Sequence, residues 1–134
     1  MDAWPARSVM EPSDLIRVRH VKGKGRGVFA RKDIKKGNMI ERVPVLLVPV
    51  EHLIGGMHSP VLARFFYLWN KKEVAIGLGY GSLYNHSYTP NAHFELGRMS
   101  ITYTALRDIP KGEEITINYN GDPEDTGPVG FAVV

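Results

Sequence analysis

One pattern occurs twice in this chain, and it limits the fold more than any other feature. Residues 30–40 read Ala-Arg-Lys-Asp-Ile-Lys-Lys-Gly-Asn-Met-Ile, and residues 105–115 read Ala-Leu-Arg-Asp-Ile-Pro-Lys-Gly-Glu-Glu-Ile. The shared form is Ala-x-basic-Asp-Ile-x-Lys-Gly-x-x-Ile. It describes a strand, a glycine turn and a second strand. Two copies do not make a solenoid. They predict a mostly β, pseudo-symmetric body with a central loop between its halves.

The rest of the chain fits that frame. Residues 1–13 contain Pro5 and Pro12 without periodicity and read as a flexible lead-in. The body is expected over residues 14–121, with 122–134 as a tail. Strands are predicted at 15–19, 28–31, 39–48, 74–78 and 114–119, and a hairpin at 92–105 turns on Gly97-Arg98. Pro44 and Pro49 mark bends or edges. One short helix is expected from Ser59-Pro60 to Asn70-Lys71-Lys72: serine is a good N-cap, proline a good first helical residue, and Val61, Leu62, Phe65, Phe66, Leu68 and Trp69 form a wide apolar face. Residues 121–130 are acidic and rich in Gly and Pro, so little order is expected of them alone. Phe131 to Val134 is an apolar end that should dock, over a ligand or elsewhere.

Composition excludes several classes of chemistry. The 134 residues, 43% of them hydrophobic, suffice for one domain with its own core. There is no cysteine, so disulfides, thiolate zinc sites and a cysteine nucleophile are excluded. The histidines at 20, 52, 58, 86 and 93 lack ligand spacing, so no metal is expected. The longest apolar run, Val43 to Val50, is broken by prolines and too short to span a bilayer. The start has no signal-peptide core. An intracellular, soluble protein is the expectation. Charge is uneven: residues 1–106 carry 15 basic and 8 acidic groups, residues 107–134 carry 2 and 6. The acidic end suits a basic partner such as a lysine-rich peptide.

Two stretches hold candidate chemistry. Residues 79–91 read Gly-Tyr-Gly-Ser-Leu-Tyr-Asn-His-Ser-Tyr-Thr-Pro-Asn. Turn-formers, tyrosines and three adjacent hydrogen-bonding side chains fit a functional loop, and equally an ordinary surface turn. Residues 22–27, Lys-Gly-Lys-Gly-Arg-Gly, could lay backbone N–H groups against a ligand or simply turn a hairpin. Their spacing matches neither a dinucleotide fingerprint nor a P-loop.

Taken in order, these pieces resemble the SET domain of protein lysine methyltransferases, especially the small SET-only proteins of bacteria and large DNA viruses. Gly25-Arg26-Gly27-Val28-Phe29-Ala30 is similar to the family's Gly-x-Gly segment. Asn85-His86-Ser87 with Pro90-Asn91 is similar to its Asn-His-Ser signature. Asp108-Ile109-Pro110-Lys111 followed by Gly112-Glu113-Glu114-Ile115-Thr116-Ile117-Asn118-Tyr119 is similar to its C-terminal signature. The resemblance covers about residues 15–121. It implies a β-clip fold of several short sheets with a pseudoknot-like C-terminal core. It also implies S-adenosyl-L-methionine as cofactor and a lysine of a histone or other basic protein as substrate. On it, Lys24, Gly25, Arg26, Gly27, Tyr84, Asn85, His86, Tyr119 and Phe131 would bind cofactor, and Tyr119 would be the catalytic tyrosine. Phe94, Tyr103 and Tyr88 would line the substrate channel, with phenylalanine at 94 favouring di- or trimethylation.

The departures are specific. Glu41-Arg42-Val43-Pro44 replaces the family's Glu-Tyr-x-Gly, and Leu83-Tyr84 stands for its Arg-Phe. No cysteine-rich tail is present, so a lid must come from residues 131–134 or from a second subunit in a homodimer. The competing readings are a non-catalytic SET-fold module that binds a peptide, and a nucleic-acid binder using the nine basic residues between Arg17 and Lys36. The second is disfavoured because the aromatics are not interleaved with that run as a stacking platform would need.

Overall fold

The computed structural model describes residues 10–53 and 65–129. Within them the chain forms nine strands: β1 Ile16–Val21, β2 Gly25–Ala30, β3 Met39–Pro49, β4 Phe66–Leu68, β5 Glu73–Gly77, β6 Asn85–His86, β7 Ala92–Gly97, β8 Ser100–Ala105 and β9 Glu114–Ile117. One sheet has the order β1-β2-β9-β6, the other β4-β5-β3-β8-β7. A three-residue 3₁₀ turn follows β3 at Val50–His52. The core between the sheets is built from β-branched residues, among them Val28, Ile40, Val43, Ile101, Ile115 and Ile117.

The repeated pattern pairs with itself. Ile34 and Ile109 form an antiparallel bridge, each N–H donating to the other's carbonyl at 2.8 and 2.7 Å. Asp33 accepts from the Lys111 N–H, and Asp108 from the Lys36 N–H, both at 2.8 Å. Gly37 N–H reaches the Ala105 carbonyl and Gly112 N–H the Ala30 carbonyl. Both glycines have left-handed backbone, with φ of 85° and 90°, which explains glycine at that point in both copies. Each aspartate thus caps the turn of the other copy, a pseudo-twofold clasp between halves 75 residues apart in sequence.

The short helix needs correction. Its first part, Ser59 to Arg64, lies outside the described residues. Its described end is strand β4, with Phe66, Tyr67 and Leu68 opposite Ile76, Ala75 and Val74 of β5. An aromatic-rich apolar run carries either period, and β5 supplies the hydrogen-bonding edge that decides for strand. The glycine-rich stretch is mostly strand too: only residues 22–24 turn, and Gly25–Gly27 belong to β2.

The C-terminal segment runs beside the Asn-His-Ser loop, giving the expected knot-like core. β6 pairs parallel to β9, Asn85 opposite Thr116 and His86 opposite Ile117. Asn91, 2% exposed, locks the crossing. Its carboxamide donates to Glu113 Oε2 and the Glu114 carbonyl, both at 2.7 Å, and accepts from the Thr116 N–H at 2.9 Å. The acidic segment after β9 is more ordered than its composition suggests. Asn118 donates to the Asp125 carbonyl at 2.7 Å, while Asn120 and the Tyr88 hydroxyl both donate to the Gly127 carbonyl at 2.8 Å.

Candidate active site

The β6–β9 crossing brings three predicted groups together. Tyr119, just after β9, donates its hydroxyl to the Tyr84 carbonyl at 2.5 Å. Its backbone N–H donates to His86 Nδ1 at 3.0 Å, so the neutral imidazole carries its proton on Nε2. His86 is 3% exposed and packs edge-on to Tyr88, ring centroids 4.4 Å apart. Burial lowers its pKa, and the nearby Lys24 charge lowers it further. The imidazole therefore holds Tyr119 in place as a neutral, structural group.

Beside it lies a polar cradle. Asn85 Nδ2 donates to the Arg26 carbonyl at 2.8 Å and to Glu114 Oε2 at 2.7 Å. Lys24 Nζ is 3.4 Å from Glu114 Oε1. A Cβ at Gly27 would collide with Glu114 Oε2 and lie 2.8 Å from Asn85 Nδ2. Only glycine lets the carboxylate and carboxamide sit directly against the β2 backbone. The Gly25-Arg26-Gly27 motif and the Asn-His-Ser motif, about 60 residues apart in sequence, thus meet through Glu114, which the sequence reading did not single out.

An aromatic cluster backs the same loop. Tyr67 and Tyr103 hydroxyls are 2.7 Å apart, and both donate towards the Gly81 carbonyl, at 2.6 and 2.8 Å. Tyr103 stacks on Tyr84 with centroids 4.3 Å apart, and Tyr67 packs edge-on to Phe94 at 5.0 Å. Burial pushes the hydroxyls of Tyr67, Tyr84 and Tyr103 well above the ordinary tyrosine value, so all three are neutral. Tyr103 is fully buried, whereas Phe94 and Tyr67 are half-buried and Tyr88 is exposed. Tyr67 was hidden by the helical reading; period-two reading of Phe66-Tyr67-Leu68 would have turned it inward. Phe131 lies outside the described residues.

Behind Tyr84 sits a buried carboxylate. Glu41, 5% exposed, accepts from the Tyr84 hydroxyl at 2.8 Å and from the Tyr80 N–H at 3.2 Å. Burial raises its pKa, and those two bonds oppose the shift without cancelling it. A carboxyl that binds its proton more tightly when folded favours folding at low pH. That advantage is lost as pH rises from the free value of 4.5 through the raised native value. Urea titrations from about pH 4 to about pH 8 should therefore show Glu41→Gln gaining on the wild type as pH rises. A stability difference independent of pH would contradict this assignment.

Comparison with known proteins places this architecture. The sequence matches the SET domain family over residues 25–120. It is 34% identical over 106 residues to the histone-lysine N-methyltransferase, H3 lysine-37 specific, of Schizosaccharomyces pombe, covering 78% of this chain and 72% of that protein. It is 31% identical over 110 residues to histone-lysine N-methyltransferase NSD3 of Mus musculus, covering 74% of this chain but 8% of that protein. The crystal structure of a Plasmodium falciparum protein, described as a candidate histone methyltransferase, superimposes with a TM-score of 0.66 at 30% identity, covering 82% of this chain and 95% of that one. The chain belongs to the SET domain family and is a protein-lysine methyltransferase. No helix among the described residues is long and apolar enough to cross a membrane.

Proposed function

We propose that this enzyme uses S-adenosyl-L-methionine to methylate the ε-amine of a lysine in a histone or another basic protein. The observation that carries the reading is the Tyr119 hydroxyl, held on the Tyr84 carbonyl one residue from Asn85 and its cradle. The residues present suit that cofactor. Gly27 lets Asn85 and Glu114 sit against the β2 backbone, Asn85 offers a carboxamide, and Lys24 offers a cation for a carboxylate. When bound, the cofactor supplies an electrophilic methyl group.

The protein's part is to position a neutral amine. Free lysine has a pKa of about 10.4, so the attacking nitrogen must first lose a proton. Half-buried aromatic groups, Tyr67 and Phe94 with Tyr119, offer a desolvating wall that favours the neutral form. The Tyr119 oxygen accepts as well as donates, so the hydroxyl held by Tyr84 can receive an N–H of the amine and orient its lone pair. Glu41 is engaged behind Tyr84, which makes it a poor general base. Phe94 leaves no hydroxyl to hold a water in the channel, in keeping with di- or trimethylation. The acidic segment with Asp122, Glu124 and Asp125, docked on Tyr88, favours a basic peptide.

The test is calorimetric titration with S-adenosyl-L-methionine, followed by radiolabelled methyl transfer to a histone mixture. Wild type is expected to bind and to label. Asn85→Ala should bind about 10- to 100-fold more weakly, the loss of one hydrogen bond to a charged group. Binding without label on any lysine protein would favour the non-catalytic module. Absence of binding, even with a lysine-rich peptide present, would overturn the proposal.

A further inference from the structure

We infer that Glu114 is a positioning residue that sets the polarity of the cofactor site, so that Asn85 presents an acceptor and Lys24 a donor to the amino-acid end of the ligand. The inference rests on the cofactor reading above. Its basis is a count of hydrogen-bonding capacity. A carboxamide can face a partner with either its oxygen or its nitrogen. At Asn85 both neighbours, the Arg26 carbonyl and Glu114 Oε2, can only accept. The amide must therefore turn its nitrogen to both, and this uses both of its N–H donors. What it has left to offer is Oδ1, an acceptor. That atom suits an ammonium and not a carboxylate.

The second oxygen of Glu114 does the complementary work. Oε1 holds the Lys24 ammonium at 3.4 Å, and the two side chains are only 19% and 18% exposed. Shelter of that degree makes the pair less screened than a surface ion pair. A lysine held there is ready to donate to a carboxylate. One glutamate thus orders an acceptor and a donor, in a fixed arrangement that matches the ammonium and carboxylate of an α-amino acid. Gly27 is the permissive element, since a side chain there would displace the Glu114 carboxylate. The neighbouring Glu113 is committed elsewhere, to Asn91 and Arg107.

Glu114→Gln isolates this function while keeping shape. A glutamine turns an NH2 to one side, and since Asn85 and Lys24 meet different oxygens of Glu114, only one of them would still face an acceptor. The experiment compares two probes by calorimetry on the full chain: S-adenosyl-L-methionine, and 5′-methylthioadenosine, which lacks the amino-acid end. The expected result is a loss of about tenfold or more in affinity for the first probe, from one lost charge-assisted contact. Affinity for the second should stay within about twofold, where a general structural defect would weaken both. Equal weakening of both probes, or no change in either, would overturn the inference while leaving the methyltransferase reading intact. If wild type binds neither probe, the cofactor reading itself fails and the inference falls with it. Lys24→Met, in the turn between β1 and β2, provides the second variant should Glu114→Gln not fold, and the same selective loss is expected.

Discussion

Tyr119→Phe should lower turnover on a lysine substrate by about 100- to 1,000-fold, the cost of losing one preorganised hydrogen bond at a reacting group. That corresponds to about 3–4 kcal/mol of barrier. The ring stays, and its packing 5.2 Å from His86 stays with it. The backbone bond from residue 119 to His86 Nδ1 is independent of the hydroxyl. Cofactor affinity should therefore change by less than about twofold, and stability by about 1 kcal/mol for the hydrogen bond to the Tyr84 carbonyl. Single-turnover methyl transfer and calorimetry on the same preparation separate these effects. An unchanged rate would remove Tyr119 from the chemistry. A parallel loss of affinity and rate would make it a binding residue instead.

The second large effect concerns stability. Asn91→Ala should cost about 3–5 kcal/mol, because three hydrogen bonds are lost where the residue is 2% exposed. The Thr116 N–H and the Glu114 carbonyl would both be left without this partner beneath the crossing. Against a typical total of about 5–15 kcal/mol, that is a large fraction of the stability. Asn91→Asp should be no better. A carboxylate can still accept from Thr116, but it turns an acceptor towards the Glu113 carboxylate and the Glu114 carbonyl. Urea unfolding measures both variants, and a loss below about 1 kcal/mol in Asn91→Ala would show that the crossing is held by other means.

Both predictions bear on how much could be read before folding. The strands on either side of each glycine turn were legible because β-branched runs bounded by Asp and Gly have few other uses. Tyr119, Asn85 and the Gly25–Gly27 segment were legible as a set, since their order along the chain matches a family. The β4 strand was not. Phe66-Tyr67-Leu68 follows a serine and proline that suit a helix, and period alone does not separate a buried helix end from a short strand. The order of the described segment after β9 was not legible for a related reason. Gly, Pro and Asp favour turns, but whether those turns are tied down depends on Asn118, Asn120 and Tyr88, whose carboxamides and hydroxyl reach partners 5 to 39 residues away.

By itself the sequence determined the repeated strand-turn-strand unit, the absence of thiol chemistry and the ordered set of site motifs. These depend on local backbone preference and on which atoms the side chains carry. Only the tertiary structure decided that the two copies clasp one another through Asp33 and Asp108, that Glu41 lies buried behind Tyr84, and that Glu114 joins Lys24 to Asn85. A carboxylate reads the same in a sequence whether it faces water or a buried hydroxyl. Its role is set by the partners brought to it from distant parts of the chain, and that is information no local pattern contains.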